Sequence, residues 1–134
     1  MGFQVIILTP DRIFKNEEAE ELLLPTSTGQ MGVLTGHAPL ITAIDIGARL
    51  VRQGSNWISL ALMGGFALVQ ETQVTILVNE AIIASSVDEK EAEIDLKKAR
   101  EQLQQVIGRK EKVEATFAFK RSRALYQIVT WKQK

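Results

Sequence analysis

At Ser85-Ser86 the hydrophobic period of this chain changes, and that change divides what it can fold into. Before the boundary, from Phe3 onward, short β-branched apolar runs alternate with turn residues, the pattern of strand after strand. The runs place strands at Phe3 to Leu8, Ala19 to Pro25, Met31 to Leu34, Leu40 to Ile44, Ala48 to Gln53, Trp57 to Met63, Phe66 to Gln70, Val74 to Asn79 and Ala81 to Ser85. Short strands without helical segments between them favour an antiparallel β-sandwich or flattened barrel over a parallel sheet. After the boundary the chain is charge-rich and helix-favouring. The expected class is β plus α: a β-sandwich over residues 1–86 and a helix-loop-helix hairpin over 87–134. A length of 134 residues allows one modest core with an appendage and excludes two enzyme domains.

Asp88 is placed as the N-cap of the first helix, Glu91 as its capping-box partner, and Val87 with Ala92 at the staple positions. Ala92, Leu96, Ala99, Leu103 and Val106 recur at helical spacing, and Gly108 stands where a C′ glycine would end the helix. The second helix, Glu111 to Trp131, has two apolar faces. Val113, Phe117, Ala124, Ile128 and Trp131 fall within about 60° of one another, with Ala115, Phe119, Leu125, Tyr126 and Val129 on the far side. The hairpin is expected to pack through Leu96, Ala99 and Leu103 against Val113, Phe117, Ala124 and Ile128. The remaining face then needs the sandwich or another protein. Arg109, Lys110 and Lys112 oppose the macrodipole at the start of this helix, which makes the junction a candidate hinge.

The residues offer little chemistry. Without cysteine, disulfides, thiolate zinc sites and cysteine nucleophiles are excluded. His37 has no second histidine to share a metal or a base role, so a β-barrel hydrolase built on His37 with Asp45 or Thr35 lacks a paired nucleophile and base. Thr26 to Gly32 lacks the Gly-Lys-Ser/Thr of a phosphate loop. Glu17, Glu18, Glu20 and Glu21 read as a solvated acidic edge rather than a cation site, and Trp57 and Trp131 as packing or interface residues. The N-terminal apolar run stops at Thr9-Pro10, short of a signal or membrane span, so work at a membrane is expected to go through docking. The run Lys120-Arg121-Ser122-Arg123, flanked by Phe117, Phe119 and Tyr126, leaves open a nucleic acid, an acidic protein or plain solvent. Sixteen basic and sixteen acidic residues cancel, which removes the broad cationic field of a nucleic-acid binder. Lys132 and Lys134 add to the basic character of the second helix.

Leu8-Thr9-Pro10, Gly29-Gln30-Met31-Gly32-Val33-Leu34-Thr35-Gly36-His37-Ala38-Pro39-Leu40, Met63-Gly64-Gly65-Phe66-Ala67 and Val74-Thr75-Ile76-Leu77-Val78 follow one another in an order that resembles the epsilon subunits of bacterial and chloroplast F-type ATP synthases. Met63 to Val69, Gln73 to Ala81 and Lys112 to Gln127 look closest to chloroplast forms of the green lineage. The resemblance implies a non-enzymatic rotor subunit without cofactor or metal. Its partners would be the gamma subunit, the c-subunit ring and, through the C-terminal helix, the catalytic β (and α) subunits. It implies that Thr28, Gln30, Met31 and His37 face the c ring, and that Lys120, Arg121 and Arg123 form an inhibitory basic helix. The implied place is the stromal side of the chloroplast thylakoid membrane, held only through the complex, with a cyanobacterial thylakoid or bacterial plasma membrane as the alternative. Some family members bind ATP through Ile/Leu-Asp-x-x-Arg-Ala. Here Ile94-Asp95-Leu96-Lys97-Lys98-Ala99 has Lys98 at the arginine position, which removes the planar two-pronged donor, so weak or absent nucleotide binding is expected.

Overall fold

The structure, a computed structural model, describes residues 2–131. Eight strands, β1 (Phe3–Thr9), β2 (Arg12–Ala19), β3 (Glu21–Thr26), β4 (Gly29–Leu34), β5 (Leu40–Gln53), β6 (Asn56–Val69), β7 (Gln73–Val78) and β8 (Ala81–Ile83), precede a 3₁₀ turn (Ala84–Ser86) and two helices, α1 (Glu89–Gln105) and α2 (Arg109–Thr130). The strand order is β2-β1-β7-β6-β5-β3-β4, with β8 also on β6. The sheet is open, with β2 and β4 as its edges, so the flattened barrel drops out. It is also mixed rather than purely antiparallel, because β1 and β7 run parallel.

The sandwich arises because this one sheet turns a corner. β5 and β6 are paired along almost their whole length, and the ladder omits Asp45 and Gly64 between Ile44↔Gly65 and Ile46↔Met63. At this point the inward-facing parity changes in both strands. Leu60 and Leu62 face the core before the corner and Ala67 and Val69 after it; in β5, Ile44 precedes it and Val51 follows. Gly64 and Gly65 have positive φ, and a Cβ on Gly65 would collide with the Leu77 carbonyl of β7. The gaps that the apolar runs left between Ile44 and Ala48, and between Met63 and Phe66, are therefore corners inside continuous strands. Hydrogen bonding resumes on both sides, so no turn forms there.

β2 is the strand that the apolar pattern misses, since its sequence is RIFKNEEA and it occupies an edge. Ala19 ends β2 rather than starting β3. Glu17 points inward and is buried, correcting its reading as a solvated edge. Its Oε2 accepts from Arg49 Nη1 of β5 at 2.6 Å, and its Oε1 accepts from Gln53 Nε2 at 3.2 Å. β2 and β5 are not neighbours in the sheet, so this cluster ties the two layers where no backbone ladder does. Burial lowers the pKa of Arg49, against the pull of Glu17, and Arg49 Nε and Nη2 are buried without a partner among the described residues. Glu20 and Glu21 engage Arg52 at 3.1 and 3.4 Å. The Gly54 N–H donated to Glu20 helps hold that carboxyl below its usual range.

The hairpin starts as its sequence indicates: the Glu91 N–H donates to Asp88 Oδ1 at 3.0 Å. Its turn differs. Val106 is the C-cap of α1, and Gly108 has ordinary negative φ as the N-cap of α2, so it is not a left-handed C′ residue. The Glu111 carboxylate occupies the space where a Gly108 side chain would lie, which places an acid in the first turn beside the opposing Arg109, Lys110 and Lys112.

Leaving Arg49 buried and unpaired is the dominant penalty in the interlayer cluster. Glu17→Ala is expected to lower unfolding free energy by about 3–5 kcal/mol, whereas Glu17→Leu with Arg49→Met, which removes both charges, is expected to be no less stable than the parent in urea titrations.

Candidate functional site

α2 packs against α1 on one side and against β5 and β6 on the other, and α2 carries the hairpin's main contact with the sandwich. Leu96 and Ala115 are buried, with Ala99 and Leu103 half-buried. Arg100 and Arg123 lie over the Phe119 ring, with centroid distances of 6.0 and 5.2 Å, so the Ala115–Phe119 side of α2 is the one that meets α1. Of the expected packing set, Ala124 and Ile128 join Ala61 and Met63 in a second small core on the sandwich, bordered by Ile46, Ala48, Ile82, Ala84 and Val87 and by Leu125 and Val129 of α2 itself. Val113 and Phe117 lie on the same stripe but are 66% and 52% exposed, so the sandwich covers that stripe only over the C-terminal half of α2.

Two ion pairs flank that second core. Lys120 Nζ reaches Asp45 at 3.2 Å, and Arg121 Nη1 reaches Glu80 at 2.6 Å; all four side chains are about one-third to one-half exposed. Asp45 sits at the β5 corner, where it also accepts the Ile46 N–H at 2.8 Å. The basic helix is therefore not a free cationic face in this arrangement: Lys120 and Arg121 are spent on the sandwich. Arg123 stacks on Phe119 and borders a cleft of about 600 Å³ between the β3–β4 turn and the last turn of α2. Gln30, Ser59, Gln127 and Trp131 contribute to its wall. Lys132 and Lys134 lie outside the described residues.

Thr28, Gln30, Met31 and His37 do not form one surface. Thr28 and Gln30 are exposed at the β3–β4 turn, Met31 turns back onto the core, and His37 lies beyond the opposite end of β4. A six-residue strand separates these ends by about 17 Å, which is why proximity in sequence is misleading here. His37 Nδ1 is 2.7 Å from the accepting Ala38 carbonyl. Ile94, Asp95 and Lys98 are exposed on α1, and no α1 residue lines the 600 Å³ cleft. No group of acidic or histidine side chains arranged for a metal occurs among the described residues, nor any helix long and apolar enough to cross a membrane.

A further surface escaped the sequence reading. On the outer face of the first layer, made by β2, β1, β7 and the parts of β6 and β5 paired with it beyond the corner, Phe66, Leu77, Leu8 and Ile13 form a rung, with Leu68 and Ile41 opposite one another beside it. Ile13 is 65%, Phe66 57%, Leu77 49% and Ile41 72% exposed. The available signal was the unbroken run Val5-Ile6-Ile7-Leu8 and its counterpart Ile76-Leu77-Val78, which are apolar on both faces of a strand rather than alternating.

The sequence model for the ATP synthase Delta/Epsilon chain β-sandwich domain matches residues 2–84. The chain is 62% identical over 129 residues to the chloroplastic ATP synthase epsilon chain of Chlorella vulgaris, covering 96% of each. It is 59% identical over 130 residues to that of Tupiella akineta, covering 97% of this chain and 100% of the other. In fold it is similar to a chain of the Euglena gracilis mitochondrial ATP synthase OSCP/F1/c-ring assembly, with a TM-score of 0.81 at 23% identity, covering 92% of this chain and 79% of that one. A chain of the Tetrahymena thermophila mitochondrial ATP synthase central stalk and c ring gives a TM-score of 0.66 at 15% identity, covering 97% and 98%.

The second core, which holds α2 to the sandwich, is small. Ile128→Ala is expected to weaken that contact by about 2–4 kcal/mol. Hydrogen exchange should then rise across α2 while the amides of β1 and β7 keep their protection.

Proposed function

The chain belongs to the ATP synthase delta/epsilon family, and on that premise we propose that it is the epsilon subunit of a chloroplast F-type ATP synthase. Its task in that reading is twofold: to join the c ring to the gamma subunit, and to restrain ATP hydrolysis through α2. The observation that carries the proposal is the exposed apolar outer face of the first layer. A monomer gains nothing by presenting Ile41, Phe66, Leu77 and Ile13 to water, whereas a partner subunit would bury them. We assign this face to gamma, with His37 in the β4–β5 connection that leads into Ile41. The β3–β4 turn, with exposed Thr28 and Gln30, is then the part free to meet the polar loops of a c ring. The identities of about 60% to chloroplastic relatives over nearly the whole chain support the organelle, and the reading extends to the stromal side of the thylakoid, where the chain is held through the complex.

The division of labour follows the two structural units, a sandwich that couples and a hairpin that brakes. In the braking state α2 leaves the sandwich and sets Lys120, Arg121 and Arg123 against carboxylates of the catalytic subunits. The chain itself performs no bond chemistry in this scheme.

Reconstitution of a synthase stripped of this subunit tests both halves. A chain ending at Ser86 is expected to restore proton-coupled synthesis but to lose most inhibition of hydrolysis. Full-length Phe66→Asp is expected to lose binding to gamma by at least tenfold, through an unpaired charge in a buried face. Equal inhibition by the truncated and full chains would exclude the hairpin as the brake. With exposed Lys98 in place of arginine, calorimetric titration at micromolar ATP is expected to show no binding heat.

A further inference from the structure

The surface beneath α2 has a composition of its own. Ala61 and Met63 make a shallow apolar floor, Asp45 stands on one side and Glu80 on another, and α2 fits this with small Ala124, Ile128 and the adjacent cations Lys120 and Arg121. The floor and the carboxylates come from different strands, β5, β6 and the β7–β8 turn, so the fold assembles them at the corner rather than any local motif. We propose that Asp45 and Glu80 hold the hairpin compact by occupying Lys120 and Arg121, the cations that the braking state of α2 needs. This rests on the braking role assigned above.

The physical basis is competition. Lys120 and Arg121 cannot satisfy both carboxylate pairs at once, so each internal ion pair subtracts from the affinity of α2 for the outside site. Each pair is about one-third to one-half exposed and individually weak, and the apolar contact is small. The two states therefore lie close enough in free energy for an external acidic site to tip the balance. Because the pairs are partly solvated, salt should loosen the compact state.

The chain has no cysteine, so Glu71→Cys and Glu101→Cys can carry a dye pair reporting the distance between the exposed β6–β7 turn and α1. In the isolated full chain, Asp45→Asn with Glu80→Gln is expected to raise the released fraction about five- to tenfold at low ionic strength. Raising ionic strength from about 0.01 M to about 1 M should release the parent hairpin but move the variant little. In the reconstituted synthase the same variant should inhibit hydrolysis more strongly than the parent. Lys120→Glu with Arg121→Glu should open the hairpin and abolish inhibition. Adding Asp45→Lys and Glu80→Lys to that chain should close the hairpin again without restoring inhibition. Unchanged distances in Asp45→Asn/Glu80→Gln, or full inhibition by the charge-swapped chain, would overturn the proposal. The distance readout needs no synthase, so a parent chain that fails to inhibit would sink the braking role while the isolated chain still decides the latch.

Discussion

The close approach of β6 to β7 at Gly65 is the constraint on which the rest of the molecule depends. The Leu77 carbonyl occupies the position that any Cβ would need, and Gly64 beside it takes a positive φ. With that corner, one sheet folds back on itself and buries Leu60, Leu62, Ala67 and Val69 in one core, although the two pairs have opposite parity along the strand. Without it, either Leu60 and Leu62 or Ala67 and Val69 would lie on the wrong side, since a one-residue offset inverts every later side chain. The Arg49–Glu17 pair then joins the layers at the far edge.

The corner also creates both functional faces. Before it, Ala61 and Met63 point outward and make the floor for α2; after it, Phe66 and Leu68 point outward and make the apolar face assigned to gamma. Asp45, at the same corner of β5, supplies one of the carboxylates that holds α2. The face proposed for gamma and the floor beneath α2 thus meet at one bend in two paired strands. The hairpin is attached by the smaller of the two cores, which suits the exchange of partners proposed for it.

Much of this was legible residue by residue. The capping interaction of Asp88, the change of period at Ser86 and the doubly apolar character of α2 are local properties, set by spacing within a few turns of chain. The breaks in the apolar runs at Asp45 and at Gly64-Gly65 were legible too, but a break does not say whether the chain turns back or bends through. Strand β2 was hidden because an edge strand needs only one inward side, and its inward residue at position 17 is a charge. Such a glutamate is indistinguishable in sequence from a solvated one until Arg49, from a strand far along the chain, is seen to meet it.

The sequence by itself determined that a strand-rich unit precedes a capped helical hairpin, that the second helix has two apolar faces, and that a cysteine-based site is excluded. The family likeness was also readable there. Only the tertiary structure decided which face of α2 meets α1 and which meets the sandwich, that Val113 and Phe117 stay exposed to solvent, that Thr28 and His37 stand at opposite ends of a strand, and that Asp45 and Glu80 engage the basic helix. The reason is physical: periodicity records which residues share a face, but contacts between segments some 40 to 75 residues apart are set by the path of the chain through its corners, and that path depends on packing at all of them together.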